Sequence, residues 1–200
     1  MKIGILGVQG AVSEHLEITV RAMRELGIGG SMEIVKKPEQ MDEISGLIIP
    51  GGESTTISTM LKQRGLKEKI RERYREGMVI MGTCAGAILL AKEVAEKNVE
   101  SLGLMDISVR RNAYGRQIDS FEADVEVEGF ETRFHAIFIR APVITDCWGD
   151  ARVVARVDEH IIMVEQGNAL ALTFHPELSG DTRIHRLFLK KLLQALNPQH

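Results

Sequence analysis

Repeatedly along this chain an aliphatic run free of charge breaks at once into glycine or proline. Lys2 to Leu6, charged only at its first residue, runs into Gly7, Gly46 to Ile49 into Pro50-Gly51-Gly52, Met78 to Met81 into Gly82, and Ala169 to Phe174 into His175-Pro176. An uncharged aliphatic run of this length is what a strand covered on both faces requires. Amphipathic stretches lie between several of these runs, so the expected fold is an α/β one, with an open, mostly parallel sheet flanked by helices. Ligands of such sheets bind at the carboxyl ends of strands, which is where these breaks fall.

The first helix carries Leu16, Val20, Met23 and Leu26 at helical spacing, with Ser13 as the expected N-cap and Gly27 as the stop. Met32 to Val35 is a further strand. Thr55 to Lys62 and Leu66 to Arg75 read as helices parted by Gly65, and the second pairs Glu68 with Arg71 on a solvated face. From Leu104 to Leu172 the pattern becomes denser in short strands, such as Ala123 to Val127, Ala136 to Ile139, Val153 to Val157 and Ile161 to Val164. An antiparallel extension of the parallel core is expected there. Thr182 to Leu196 closes the chain as an amphipathic helix through Ile184, Leu187, Phe188, Lys191 and Leu192.

Two hundred residues suit one domain, taken as residues 1–200, and 44% hydrophobic with 26% charged residues is ordinary for a globule. A net charge of −3 gives no basic field to collect nucleic acid. The apolar start breaks at Gln9-Gly10, too early for a signal peptide, and no stretch approaches the length of a membrane helix, so no membrane partner and a cytoplasmic address are expected. Cys84 and Cys147 read as free thiols. No Cys/His cluster has metal-binding spacing, and neither a metal nor a cofactor is expected.

Chemistry concentrates at Gly82-Thr83-Cys84-Ala85-Gly86, where a buried strand meets a helical Ala/Leu stretch. This is the cysteine form of the nucleophile elbow, whose small flanking residues permit the strained turn. A helix N-terminus behind a sulfur favours its thiolate form. Alternatively, Cys84 is a small buried residue in a tight turn. Cys147, in Asp146-Cys147-Trp148, has no base beside it and reads as structural.

A cysteine nucleophile needs a base, and the base an orienting acceptor. His15, His135, His160, His185 and His200 have no distinctive setting and read as ordinary surface or packed residues. His175 ends an apolar strand and opens His175-Pro176-Glu177. With Pro176 holding the link extended, His175 and Glu177 point to the same side, which completes a Cys84-His175-Glu177 triad. Pro50-Gly51-Gly52-Glu53-Ser54-Thr55 follows another buried strand, and the Gly52 and Ala85 N–H groups are the expected oxyanion hole. Taken alone, the same segment also reads as a plain turn with Ser54 capping a helix. It lacks the G-K-[ST] of a phosphate-binding loop, and Gly4-x-x-Gly7-x-x-Gly10 is not a dinucleotide fingerprint.

Taken in order, Pro-Gly-Gly-Glu-Ser, Gly-Thr-Cys-Ala-Gly and Phe-His-Pro-Glu resemble the class I glutamine amidotransferases. Gly7-Val8-Gln9-Gly10-Ala11 with His15, Lys37-Pro38-Glu39-Gln40, Arg111-Asn112-Ala113-Tyr114-Gly115-Arg116-Gln117, Asp119-Ser120-Phe121-Glu122-Ala123 and Phe138-Ile139-Arg140-Ala141-Pro142 narrow the likeness. Over residues 2 to about 190 the chain is similar to the family of glutaminase subunits of pyridoxal 5'-phosphate synthase.

That resemblance implies a flavodoxin-like sheet and hydrolysis of L-glutamine to glutamate and ammonia. It also implies a TIM-barrel synthase subunit as the partner that receives the ammonia and joins it to phosphorylated sugars. By similarity Gly52, Glu53, Ser54, Arg111, Ile139 and Arg140 contact the glutamine, and Gln9 sits at the site's mouth where it responds to the partner. Arg111 and Arg140 both suit the α-carboxylate, and Glu53 suits the α-ammonium. Competing readings of the same residues are a cysteine redox sensor and a non-catalytic scaffold.

Overall fold

The computed structural model describes residues 1–111 and 120–197. In chain order the elements are β1 (Lys2–Leu6), α1 (Val12–Glu25), β2 (Ser31–Val35), β3 (Gly46–Ile49), α2 (Ser54–Gln63), α3 (Leu66–Arg75), β4 (Val79–Thr83), α4 (Ala85–Leu90) and β5 (Ala91–Val94). They continue as β6 (Met105–Arg110), β7 (Ser120–Val125), β8 (Phe134–Ile139), β9 (Val143–Cys147), β10 (Arg152–Val157), β11 (His160–Gln166), β12 (Ala169–Leu172) and α5 (Arg183–Leu196).

Strands β2, β1, β3, β4 and β12 lie side by side in that order, all parallel. Antiparallel β11, β9 and β6 continue the sheet, β5 runs parallel to β6 at its far edge, and β10 pairs with β11. A separate hairpin of β7 and β8 reaches the sheet through a bridge between Val127 and Ala155. The parallel core and the antiparallel second half therefore both match expectation.

Both faces of the parallel core are covered, and alternation along each strand shows it. Leu47, Ile49 and Ile80 pack with Leu61, Leu66, Ile70 and Leu89 of α2, α3 and α4. Their neighbours Ile48, Val79 and Met81 pack with Ala22 and Met23 of α1 and Ile184, Phe188 and Leu192 of α5 on the other face. Apolar residues at successive positions serve opposite faces because strand side chains alternate.

Several local details differ. Helix α1 begins at Val12 with Ala11 at its cap, and Ser13 lies inside the first turn, where its hydroxyl donates to Glu14 at 3.0 Å. Its buried face is His15, Ile18, Thr19, Ala22 and Met23, rotated from the Leu16 stripe. Strands β5, β6 and β9 carry polar residues on a partly exposed part of the sheet, which blurs the signal in their sequence. The segment Asn112 to Asp119 of the family-like block, and His200, lie outside the described residues. No helix among the described residues is long and apolar enough to cross a membrane.

Strand order is what assembles the site. β3, β4 and β12 are adjacent, with Ile49 opposite Gly82 and Leu172 opposite Thr83. The segments after them, bearing Gly51-Gly52, Cys84 and His175, therefore emerge side by side at the carboxyl ends of the parallel strands.

Candidate active site

Cys84 occupies the turn between β4 and α4 with φ 51° and ψ −108°, a left-handed conformation rare for a residue with a side chain. The flanking glycines explain how the chain reaches it. A Cβ on Gly82 would lie 2.5 Å from the Gly86 carbonyl oxygen, and one on Gly86 would lie 2.2 Å from the Ile49 carbonyl oxygen. Only hydrogen fits at either position, so strand and helix approach more closely than alanine allows. The Cys84 N–H donates to Leu172 O at 2.8 Å, tying the elbow to β12.

His175 follows β12, and its N–H donates to Ile137 O of β8 at 2.8 Å. Pro176–Leu178 forms a 3₁₀ turn rather than the extended link expected from Pro176. The turn brings the two side chains together all the same: His175 Nδ1 lies 2.7 Å from Glu177 Oε1. Proline suits the first position of such a turn because its missing N–H has no partner to lose there. Burial alone would lower the His175 pKa, but its hydrogen bonds to Cys84 and Glu177 outweigh burial and push it up to about 10. A Cβ on Gly51 would sit 2.6 Å from His175 Cε1 and 3.1 Å from Cys84 Cβ, so the imidazole lies over bare backbone.

A cavity of about 290 Å³ opens over these groups, at the small end for small-molecule sites. Gly52, Glu53, Ser54, Cys84, Ala85, Arg111, Ile139, Arg140 and His175 line it, and so does Ile88, which sequence reasoning did not single out. A larger cleft of about 730 Å³ lies between residues 126–133 and 153–156, but neither cysteine nor histidine lines it.

Glu53, not Ser54, caps α2: its carboxylate accepts from the Thr55 and Thr56 N–H groups at 3.1 and 2.7 Å. Partial burial would raise its pKa, yet hydrogen bonds from Thr56 and Thr55 prevail and hold it at about 2. Ser54 Oγ is buried beside the cavity with no hydrogen-bond partner among the described residues. Arg111 reaches Thr55 Oγ1 at 3.3 Å, and its own N–H donates to Glu96 at 2.9 Å. Arg140 takes φ 45° at the rim. Gln9 does not line the cavity; its Oε1 accepts the Glu53 N–H at 2.9 Å and so braces the loop that does.

Two histidines read as ordinary are neither exposed nor remote. His15 and His185 are fully buried, with rings 5.3 Å apart, directly behind Glu177. The signal in the sequence was their register: His15 shares a face with Ile18 and Ala22, and His185 with Phe188 and Leu192. His135 is exposed between Asp124 and Glu122, which raise its pKa. Cys147 is half-buried, its thiol donates to Ala151 O at 3.2 Å, and burial pushes its pKa up. Among the described residues no group of acidic, histidine and cysteine side chains could hold a metal ion.

The fold is that of the glutamine amidotransferases. A crystal structure of a glutamine amidotransferase superposes with a TM-score of 0.86 at 44% identity, covering 95% of this chain and 98% of its own. The chain belongs to the SNO glutamine amidotransferase family, whose model matches residues 5–194. Among its relatives, the pyridoxal 5'-phosphate synthase subunit PdxT of Pyrococcus furiosus is 50% identical, over 96% of this chain and all of that protein. The subunit of the same name from Thermosipho africanus is 49% identical over 94% of this chain and 97% of its own.

Proposed function

We propose that this chain, as a single amidotransferase domain, hydrolyses L-glutamine to L-glutamate and ammonia and passes the ammonia to a synthase subunit that makes pyridoxal 5'-phosphate. The observation that carries the reading is the line from Cys84 through His175 to Glu177 at the floor of a pocket whose wall holds Glu53 and Arg111. The names of its near-full-length relatives support the synthase. The partner is taken to be a TIM barrel, and the address the cytoplasm, where two free thiols stay reduced.

In this reading Cys84 and His175 share one proton, and Glu177 holds Nδ1–H so that Nε2 faces the sulfur. Sγ bonds to the side-chain amide carbon of glutamine, and the amide oxygen takes the electron pair against the Gly52 and Ala85 N–H groups. His175 gives its proton to the amide nitrogen, the C–N bond breaks and ammonia leaves. Water then loses a proton to His175 as its oxygen attacks the thioester, the C–S bond breaks, and glutamate departs. Glu53 faces the α-ammonium, while Arg111 and Arg140 supply cations for the α-carboxylate. Ser54 and Ile139 complete the contacts, Ser54 through a buried hydroxyl that has no hydrogen-bond partner among the described residues. Gln9, bonded to the Glu53 N–H, transmits partner docking to the Gly52 loop.

Ammonia in bulk water near neutral pH takes up a proton and loses its nucleophilicity, so a closed route to the partner has a physical purpose. The test is glutamate release from L-glutamine by the purified chain, alone and with a synthase subunit, with Cys84→Ala as control. Release that rises with the partner and is lost in the variant is expected. A folded chain with a competent partner that releases none in either condition overturns the reading and leaves a sensor or scaffold.

A further inference from the structure

The Glu177 side chain is fully buried, and a buried carboxylate needs donors at both oxygens. Oε1 has His175 Nδ1 at 2.7 Å. Oε2 has no close hydrogen-bond partner among the described residues; the group that faces it is His15 Nε2, at 3.3 Å. His15 Nε2 also lies 3.1 Å from Thr83 Oγ1, and His15 Nδ1 lies 3.0 Å from His185 Nε2. His185 Nδ1 is buried and without a hydrogen-bond partner among the described residues. The triad thus continues inward from its acid through a histidine of α1 to a histidine of α5.

Two proton arrangements satisfy the His15–His185 contact, and charge decides between them. If His15 carried its proton on Nδ1, its Nε2 lone pair would face a carboxylate oxygen, and His185 would bury an N–H with no acceptor. If both rings carry the proton on Nε2, His185 donates to His15, His15 donates toward Glu177 and Thr83, and only a lone pair at His185 Nδ1 is left unmatched. An unmatched buried donor is the rarer and costlier of the two. Burial holds both pKa values low, that of His185 at about 3, so each ring stays neutral. A neutral ring serves Glu177 better than a cation, because it supplies an N–H without competing with His175 for the carboxylate's charge.

We propose that His15 and His185 are positioning residues: a directed chain of N–H groups that holds the Glu177 carboxyl group aimed at His175. The proposal rests on the glutaminase reading for its kinetic consequence but not for its geometry. The titratable groups facing His15 are His185 from α5, Glu177 from the turn after β12 and, beyond it, His175.

The test compares His15→Leu, which removes the donor, with His15→Gln, whose amide can both donate toward Glu177 and accept from His185. For His15→Leu, kcat with glutamine is expected to fall about 10- to 100-fold with KM little changed, the factor one hydrogen bond to a charged group carries. His15→Gln is expected to recover most of the loss. The pH profile of Cys84 alkylation by iodoacetamide reads the same coupling without glutamine or partner, and its His175-dependent limb is expected to shift to lower pH in His15→Leu alone. In the unaltered protein, nitrogen-15 NMR should find both rings neutral with the proton on Nε2.

A proton on His15 Nδ1, an unmoved alkylation profile in His15→Leu, or equal losses in both variants overturns the proposal. If the unaltered chain alkylates normally yet hydrolyses no glutamine beside a competent partner, the glutaminase reading fails. The relay is then judged by alkylation and NMR.

Discussion

The carboxylate of Glu53 lies 3.2 Å from the guanidinium of Arg111 while the same group closes the N-terminus of α2. One side chain thus shapes the pocket wall and anchors the helix behind it. Glu53→Ala should therefore cost both stability and binding. Loss of the cap is worth about 1 kcal/mol, a fall of roughly 2–4 °C in Tm for a chain of this size. The KM for glutamine should rise at the same time as Arg111 loses its partner. Thermal melts and steady-state kinetics on one preparation check this, and an unchanged KM would remove Glu53 from the substrate contacts.

The glycines of this chain differ in what a side chain would meet: backbone at Gly86, the His175 imidazole at Gly51, and nothing at Gly29. Gly86→Ala sets a methyl against the Ile49 carbonyl oxygen and should abolish soluble expression or lower Tm sharply. Gly51→Ala meets the His175 ring instead, so a folded protein with at least about a hundredfold loss of kcat is expected from the displaced base. Gly29 has open space around it, and Gly29→Ala should stay within about 0.5 kcal/mol of the parent. Circular dichroism melts beside activity assays separate the cases.

Acid should unfold this protein through its buried histidines. His185 has a folded pKa of about 3 against an ordinary 6.5, and that of His15 is also lowered. The unfolded chain binds these protons first, so stability is complete above pH 6.5 and falls as pH drops toward 3. Each histidine contributes a slope of up to about 1.4 kcal/mol per pH unit. His175 acts with the opposite sign: raised to about 10, its contribution is full below pH 6.5 and is lost as pH rises through 10. Urea unfolding across pH 4 to 10 should show a maximum between these limbs, and His185→Phe, if folded, should flatten the acid one.

Gln9 offers a test of how partner docking reaches the chemistry. Its side chain holds the Glu53 N–H, one residue from the Gly52 amide assigned to the oxyanion. Gln9→Ala should leave the fold intact and reduce the stimulation by a synthase subunit. Full stimulation in the variant would show that docking acts elsewhere.

The parallel core was legible in the sequence because a strand covered on both faces is apolar nearly throughout, as Gly46–Ile49 is and as Val79–Thr83 is up to its last residue. The elbow was legible for a similar reason: only glycine fits at positions 82 and 86, so spacing alone betrays the close approach of strand and helix. Cys84, His175 and the Gly52 loop could be paired because all three follow such strands. The outer strands β5, β6 and β9 escaped notice, since each mixes charged or polar residues with its apolar ones.

What only the tertiary structure decided is which polar residues the interior retains. Helical periodicity places His15 and His185 on buried faces, but the reason to bury an imidazole rather than a leucine lies across the molecule, in a carboxylate on a turn after β12. Nor does sequence reveal that Glu53 rather than Ser54 caps α2, or that a 3₁₀ turn joins His175 to Glu177. Local pattern records which residues leave water. Partners supplied by distant segments become visible only when the chain has brought them within a few ångströms, where hydrogen bonding is decided.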